Sequence, residues 1–106
     1  KELGDLFFGF QEELETDRSN MWLTCAIMKG EYKPEDLIAH LEKDSIEARR
    51  IWKPMHEQPV MQGYKKYING NSSLLFLQGI CLPSGSDLTN KDMKRIIKSI
   101  KTFFKK

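Results

Sequence analysis

Long apolar runs are missing from this sequence. No stretch of its 106 residues approaches the ~18–20 apolar residues that span a bilayer, and no basic-then-apolar leader opens it. Charge of one sign is scarce too. Seventeen Lys and Arg against 15 Asp and Glu leave a net charge of +2, so no overall field selects nucleic acid or an anionic membrane. The only cysteines, Cys25 and Cys81, are too few for a disulfide framework or a cysteine-built metal site. Each lies in an apolar stretch and reads as a small buried hydrophobe with an inert thiol, in keeping with a reducing, cytoplasmic setting. Asn71-Ser72-Ser73 satisfies the glycosylation pattern but reads as a polar turn in a chain with no secretory signal. Internal repeats and low-complexity tracts are absent. What remains is 40% apolar and 30% charged, the composition of one globular domain with one core. The first residue is lysine, not methionine, so the chain is expected to be a piece of a longer protein.

Residues 1–18 are the least readable. Leu3, Leu6, Phe7 and Phe10 sit at helical spacing, but Gly4 and Gly9 weaken a helix, and the acidic stretch 12–17 reads as a solvated connection. Residues 21–28 are nearly all apolar and rich in strand formers, which predicts a strand covered on both faces. Pro34, with Glu35 and Asp36 after it, predicts a helix over 34–43 whose apolar face is Leu37, Ile38 and Leu41. Residues 46–52 predict a second strand that runs into an irregular loop, 53–58, shaped by Pro54 and Pro59. Ser72 or Ser73 is expected to cap a short helix that ends at Gly79, before a third strand over 80–82. Thr89 with Asp92 three residues on forms a capping box for the last helix, whose stripe is Met93, Ile96, Ile97, Ile100, Phe103 and Phe104. The predicted fold class is α+β, a small sheet with helices packed on it.

Few side chains offer chemistry. His56, expected exposed on the proline-bounded loop, can donate to a phosphate or sugar oxygen or carry a proton near neutral pH, although a lone histidine is more often incidental. His40 falls in a predicted helix and is expected at the surface. Arg49, Arg50, Trp52 and Lys53 put three positive charges and an indole within five positions, which suits a phosphorylated or aromatic ligand. The same cluster is what a strand edge shows when it turns charge to water, and spacing leaves the two readings open. Lys91, Lys94, Lys98, Lys101, Lys105 and Lys106 lie opposite the apolar stripe of the last helix, which reads as a solvated face rather than a nucleic-acid surface. Ser84-Gly85-Ser86 before that helix is only a weak anion-binding signal. No Ser/His/Asp or His/Cys arrangement supports hydrolysis or metal chemistry.

Three segments, in order, resemble one family. Ser19-Asn20-Met21-Trp22-Leu23-Thr24 is similar to the Ser-Asn-x-Trp-Leu-Thr strand of the DegT/StrS-type sugar aminotransferases. Ile46-Glu47-Ala48-Arg49-Arg50-Ile51-Trp52-Lys53-Pro54-Met55-His56-Glu57-Gln58-Pro59-Val60 closely resembles their Glu-x-Arg-Pro-x-Trp-Lys-Pro-Met-His-x-Gln-Pro segment. Gly79-Ile80-Cys81-Leu82-Pro83-Ser84-Gly85-Ser86-Asp87-Leu88-Thr89 resembles their turn into the final helix. The match covers roughly residues 19–104. It departs at Arg50, where proline is usual and whose loss predicts a less rigid approach to the loop. Met61 (for phenylalanine), Met21 (for a larger polar or basic residue) and Asp87 (for asparagine) depart as well.

The resemblance implies the small C-terminal domain of a fold type I aminotransferase, over residues 19–106, with 1–18 as the connection from a missing N-terminal large domain. It implies that pyridoxal phosphate and its Schiff-base lysine belong to that large domain. By resemblance the intact enzyme is a cytoplasmic homodimer that aminates a UDP-linked 4-keto-6-deoxy sugar, as in the bacillosamine pathway, from glutamate. No nucleic-acid or membrane partner is implied. The substrate-facing residues would be Arg49, Trp52, Lys53, Pro54, Met55 and His56. The piece alone is expected to be inactive, to bind no cofactor, and to expose an apolar patch where the large domain belongs. The alternative is a stand-alone α+β module that binds an anionic nucleotide or sugar ligand through residues 49–56.

Overall fold

The two longer helices begin where the chain supplies what a helix N-terminus needs. In the computed structural model, which describes residues 2–105, Pro34 opens α1 (Pro34–Lys43), with Glu35 and Asp36 in its first turn. The missing proline N–H costs nothing there, and the two carboxylates meet the positive end of the helix dipole. Thr89 caps α3 (Asn90–Phe104) reciprocally. The Asp92 N–H donates to the Thr89 hydroxyl at 3.2 Å, and the Thr89 N–H donates to the Asp92 carboxylate at 3.0 Å. The Thr89 hydrogen bonds hold the Asp92 carboxyl below its ordinary range. The short helix α2 (Asn71–Gln78) starts differently from expectation. Its N-cap is Gly70, left-handed at φ 87°, and neither Ser72 nor Ser73 caps it, because a residue that must take positive φ is best a glycine.

Four strands, β1 (Gly9–Phe10), β2 (Thr24–Ile27), β3 (Arg49–Arg50) and β4 (Gly79–Leu82), form one antiparallel sheet in the order β1-β2-β4-β3. The Met28 N–H donates to Gln78 C=O at 2.9 Å, so the alternation of an antiparallel ladder makes Cys25↔Cys81 a non-hydrogen-bonded pair. The Ile51 N–H donates to Gly79 C=O at 3.5 Å, which makes Arg50↔Ile80 a non-hydrogen-bonded pair on the outermost strand. Short 3-10 turns at Gly4–Leu6, Met55–Glu57 and Pro59–Met61 complete the order. The expected α+β class holds.

One face of the sheet carries the core. Strand alternation sends Ala26, Met28, Ile80 and Leu82 to the same side, where Leu37 and Leu41 of α1 and Ile96 and Ile100 of α3 bury against them with Phe7 and Ile46. Met93, expected in the α3 stripe, is exposed. The neighbouring Ser99 is buried instead, and its hydroxyl donates to the Asp44 carboxylate just after α1. His40, expected at the surface, is half-buried, with Nε2 at 3.1 Å from Ser99 C=O.

Residues 1–18, read as a connection, also contribute to the sheet and core. Gly9 and Phe10 pair with β2, and the Phe7 ring meets Phe10 and Phe104 edge-on, each at 5.3 Å. The strand expected over 21–28 is ladder-paired only at Thr24–Ile27, after Met21 takes a left-handed φ of 53°. The strand expected over 46–52 shrinks to Arg49–Arg50, since Ile46 serves the core without entering a ladder. Gly79 ends α2 as expected and, extended at φ −89°, also begins β4. Close approach explains the glycine, because a Cβ there would stand 2.5 Å from Ile51 Cδ1. Lys106, counted with the lysine face of the last helix, lies outside the described residues.

The cysteines oppose each other across β2 and β4 with Sγ–Sγ 3.7 Å. Cys81 is buried as expected, but Cys25 is only partly covered. Burial, then the Cys25 contact, pushes the Cys81 thiol up from 9.0 to about 11.

Two outcomes test this frame. Thr89→Ala removes the cap of α3 and should cost about 1 kcal/mol in urea denaturation; an unchanged midpoint would contradict the capping box. The folded chain keeps the Cys81 proton to higher pH than the unfolded chain does. The contribution of this thiol is therefore fully present below pH 9.0 and is lost as pH rises toward about 11. Urea midpoints measured from pH 8 to 11 should fall less steeply for Cys81→Ala than for the unsubstituted chain.

Candidate functional site

Between β3 and α2 the chain has little regular structure, and prolines shape it. Pro54 is buried, and the loop expected to be irregular closes on itself in the Met55–Glu57 and Pro59–Met61 turns. Glu57 N–H donates to Pro54 C=O at 3.0 Å and Gln58 N–H to Met55 C=O at 3.1 Å. The Gln58 side chain reaches back, its Nε2 donating to Lys53 C=O at 3.2 Å. A loop tied internally in this way presents its outward side chains with little freedom left to lose on binding. Those side chains are Trp52 and Met55, 67% and 61% exposed, and Lys53, also exposed.

His56 departs from expectation. Its side chain is only 16% exposed, its Nε2 lies 3.1 Å from the Ser73 hydroxyl in the first turn of α2, and Glu57 Oε1 stands 3.7 Å away. Its place is therefore fixed, and one ring nitrogen already has a partner.

The cluster that sequence spacing grouped together separates in space. Trp52 and Pro54 border an apolar groove of about 510 Å³, with Ile27 and Cys25 on the sheet, Ile51, and Leu75 of α2. Arg49 instead borders a mixed cleft of about 430 Å³ with Ser84 and Arg95, where its guanidinium donates to Glu47 at 2.8 and 2.5 Å. Arg50 points to the other face of the strand. Its Nη1 pairs with Glu35 and its Nη2 donates to Phe76 C=O. The less rigid approach predicted from the missing proline is thus compensated by a side-chain tie.

Trp22 is the residue that spacing did not place at the site. It lies 30 positions before Trp52, yet the two indoles stand 6.0 Å apart at 42°, and Trp22 is 68% exposed. The signal available was its place in the Ser-Asn-x-Trp segment. The Ser84-Gly85-Ser86 turn proves structural: the Ser84 hydroxyl accepts from Thr24 N–H at 2.7 Å and donates to Leu82 C=O at 2.8 Å, pinning the end of β2 to β4.

Schiff-base chemistry uses a lysine amine desolvated by its surroundings. No lysine among the described residues is buried in this way. Lys91, Lys94, Lys98 and Lys105 of the α3 face and its end are exposed, and Lys101 pairs with Glu2 at 2.7 Å.

Comparison with known proteins gives a consistent family. The model of the DegT/DnrJ/EryC1/StrS aminotransferase family matches residues 1–101. A protein of Bacillus subtilis (strain 168) named as a pyridoxal phosphate-dependent aminotransferase, EpsN, is 35% identical over 99 residues, which is 90% of this chain and 26% of the relative. A DegT DnrJ EryC1 StrS aminotransferase from Brucella abortus superposes with TM-score 0.84 at 23% identity, over 99% of this chain and 28% of its own. The sugar aminotransferase CalS13 from Micromonospora echinospora gives TM-score 0.75 at 14% identity, over 95% of this chain and 27% of its own. The chain thus spans about a quarter of these relatives, matching the C-terminal portion of the family fold.

The geometry predicts that both indoles meet water. Tryptophan emission should be red-shifted and readily quenched by acrylamide, and Trp52→Phe should leave a Trp22 signal that is still quenched. A blue-shifted spectrum shielded from quencher would contradict the exposed pair.

Proposed function

The chain belongs to the DegT/DnrJ/EryC1/StrS aminotransferase family, and from that premise we propose that it forms the substrate-facing wall of a pyridoxal phosphate-dependent sugar aminotransferase. The observation that carries this reading is the self-tied loop over residues 52–56 beside an apolar groove, with exposed Trp52, Lys53 and Met55 held on it. The proposed substrate is a UDP-linked 4-keto-6-deoxy sugar, with glutamate as amino donor. An indole offers a face on which a planar base can stack, and an ammonium suits a diphosphate as a mobile point charge. Arg49, on the separate cleft with Ser84 and Arg95, would meet a more distant anionic part of the substrate after exchanging Glu47 for it. Met55 and the buried Pro54 would shape the wall, and His56, anchored by Ser73, would face the sugar.

The cofactor supplies the electron sink of the reaction when bound, and its lysine and phosphate site are assigned by this proposal to a large domain outside the chain. The residues described here bind and orient. Residues 1–18 are proposed as the connection from that domain, anchored here by Phe7 in the core and by the β1–β2 pairing. A homodimer in the cytoplasm is proposed as the working form. Exposed Val60, Tyr64, Tyr67, Ile68, Leu74 and Leu77 provide apolar surface for such neighbours to cover.

The experiment is a UDP titration of the intact protein and of the 106-residue chain, read with turnover of the keto-sugar and glutamate. Trp52→Ala should weaken UDP binding roughly tenfold, about 1.4 kcal/mol, and Lys53→Ala should reduce its salt dependence. The chain alone should bind no UDP. Undiminished UDP affinity in both variants would overturn the reading, and full affinity in the isolated chain would favour a stand-alone binding module instead.

A further inference from the structure

The helix beside the loop has little to hold it. α2 has eight residues, no buried side chain and no side-chain cap. A helix this short is marginal in water unless tertiary contacts fix it. Yet α2 carries Ser73, which holds His56, and Leu75, which lines the groove beside Trp52. Something outside the apolar core must set its position.

We infer that Arg50 is a positioning residue, acting on the 52–56 loop through α2. Its guanidinium donates from Nη1 to Glu35, in the first turn of α1, and from Nη2 to the C=O of Phe76, in the last turn of α2. It also lies 4.3 Å from the centroid of the Phe76 ring. The last turn of a helix leaves carbonyls without intrahelical partners and favours a cation, so both the hydrogen bond and the dipole draw Arg50 there. The side chain is 25% exposed, and its Nε is buried without a partner among the described residues. One side chain therefore joins α1, β3 and α2 two positions before Trp52. The loop is then pinned to α2 twice, by Arg50 at its root and by the contact between His56 and Ser73 at its centre.

The backbone adds a discriminating point. Arg50 sits on an edge strand at a non-hydrogen-bonded position, so its own N–H is not part of the ladder with β4. Proline there removes no sheet hydrogen bond. The tie and the strand can therefore be tested apart. Lysine keeps the charge but has no planar fork to serve Glu35 and Phe76 together.

This inference rests on the proposed function only for its binding arm. The test compares Arg50→Met, Arg50→Lys and Arg50→Pro in the intact protein by amide hydrogen exchange without ligand and by UDP titration. Exchange at residues 55–58 and 71–78 should quicken in the Met and Lys variants, while α1 and α3 keep their protection. UDP affinity should fall roughly tenfold in Arg50→Met, within the range of a coupling carried through packed contacts. Arg50→Pro should leave β4 protected but loosen α2. If Arg50→Met does not fold, Glu35→Gln, which leaves the Phe76 contact, should show the same pattern more weakly. Unchanged exchange in α2 and the loop of folded variants overturns the positioning role whatever UDP does, and so does uniform quickening across all helices. An intact protein that binds no UDP but shows the α2-specific exchange pattern overturns the proposed function and leaves Arg50 its role.

Discussion

Strand β4 is confined on every side, and the rest of the structure is arranged around that confinement. All four of its residues, Gly79 to Leu82, are buried. It is paired along one edge with β2 and along the other with β3, so its backbone groups are accounted for by the sheet itself. One face feeds Ile80 and Leu82 to the core under α1 and α3. The other carries Gly79 and Cys81, and the absence of a side chain at Gly79 lets Ile51 close over it. Because α2 leads directly into β4 and the turn to α3 leads out of it, the groove side and the core side are positioned by the same four residues.

That arrangement gives the two sides of the sheet different tasks. The core side is built from aliphatic packing and rings meeting edge-on, which resists deformation because its side chains have many partners each. The groove side has little such packing. Its loop is held by hydrogen bonds from Gln58, by buried Pro54, and by polar contacts to α2. Polar ties of this kind fix direction and register while leaving apolar side chains free to meet a ligand or a neighbouring domain. The apolar surface left open at Trp52 and Met55 is thus a consequence of how the loop is held.

Local chemistry was legible in the sequence wherever a single short segment decided the outcome. Pro34 with its acidic neighbours marked α1 over Pro34–Lys43, and Thr89 with Asp92 marked the start of α3. The motif of residues 52–59 pointed to the loop and to the family. Non-local outcomes were less legible. Residues 46–52 have strand composition, but only Arg49 and Arg50 find a ladder, because pairing depends on a partner strand 30 residues away in sequence. The burial of His56 needed α2 to fold back over it. Arg49 and Arg50 are adjacent in the chain and face opposite ways, so a charge cluster read by spacing became two separate sites. The meeting of Trp22 with Trp52 could not be read from either segment alone.

The aromatic contact between Phe7 and Phe104, with Glu2 against Lys101, brings the beginning and end of the described chain side by side. Neighbouring ends make the order of elements separable from their arrangement. A circular permutant that joins the ends by a short flexible linker, and opens the exposed turn at Gly85–Ser86, would keep every strand pairing and every helix contact described above. In such a permutant α3 would come first, and the sheet would be completed last.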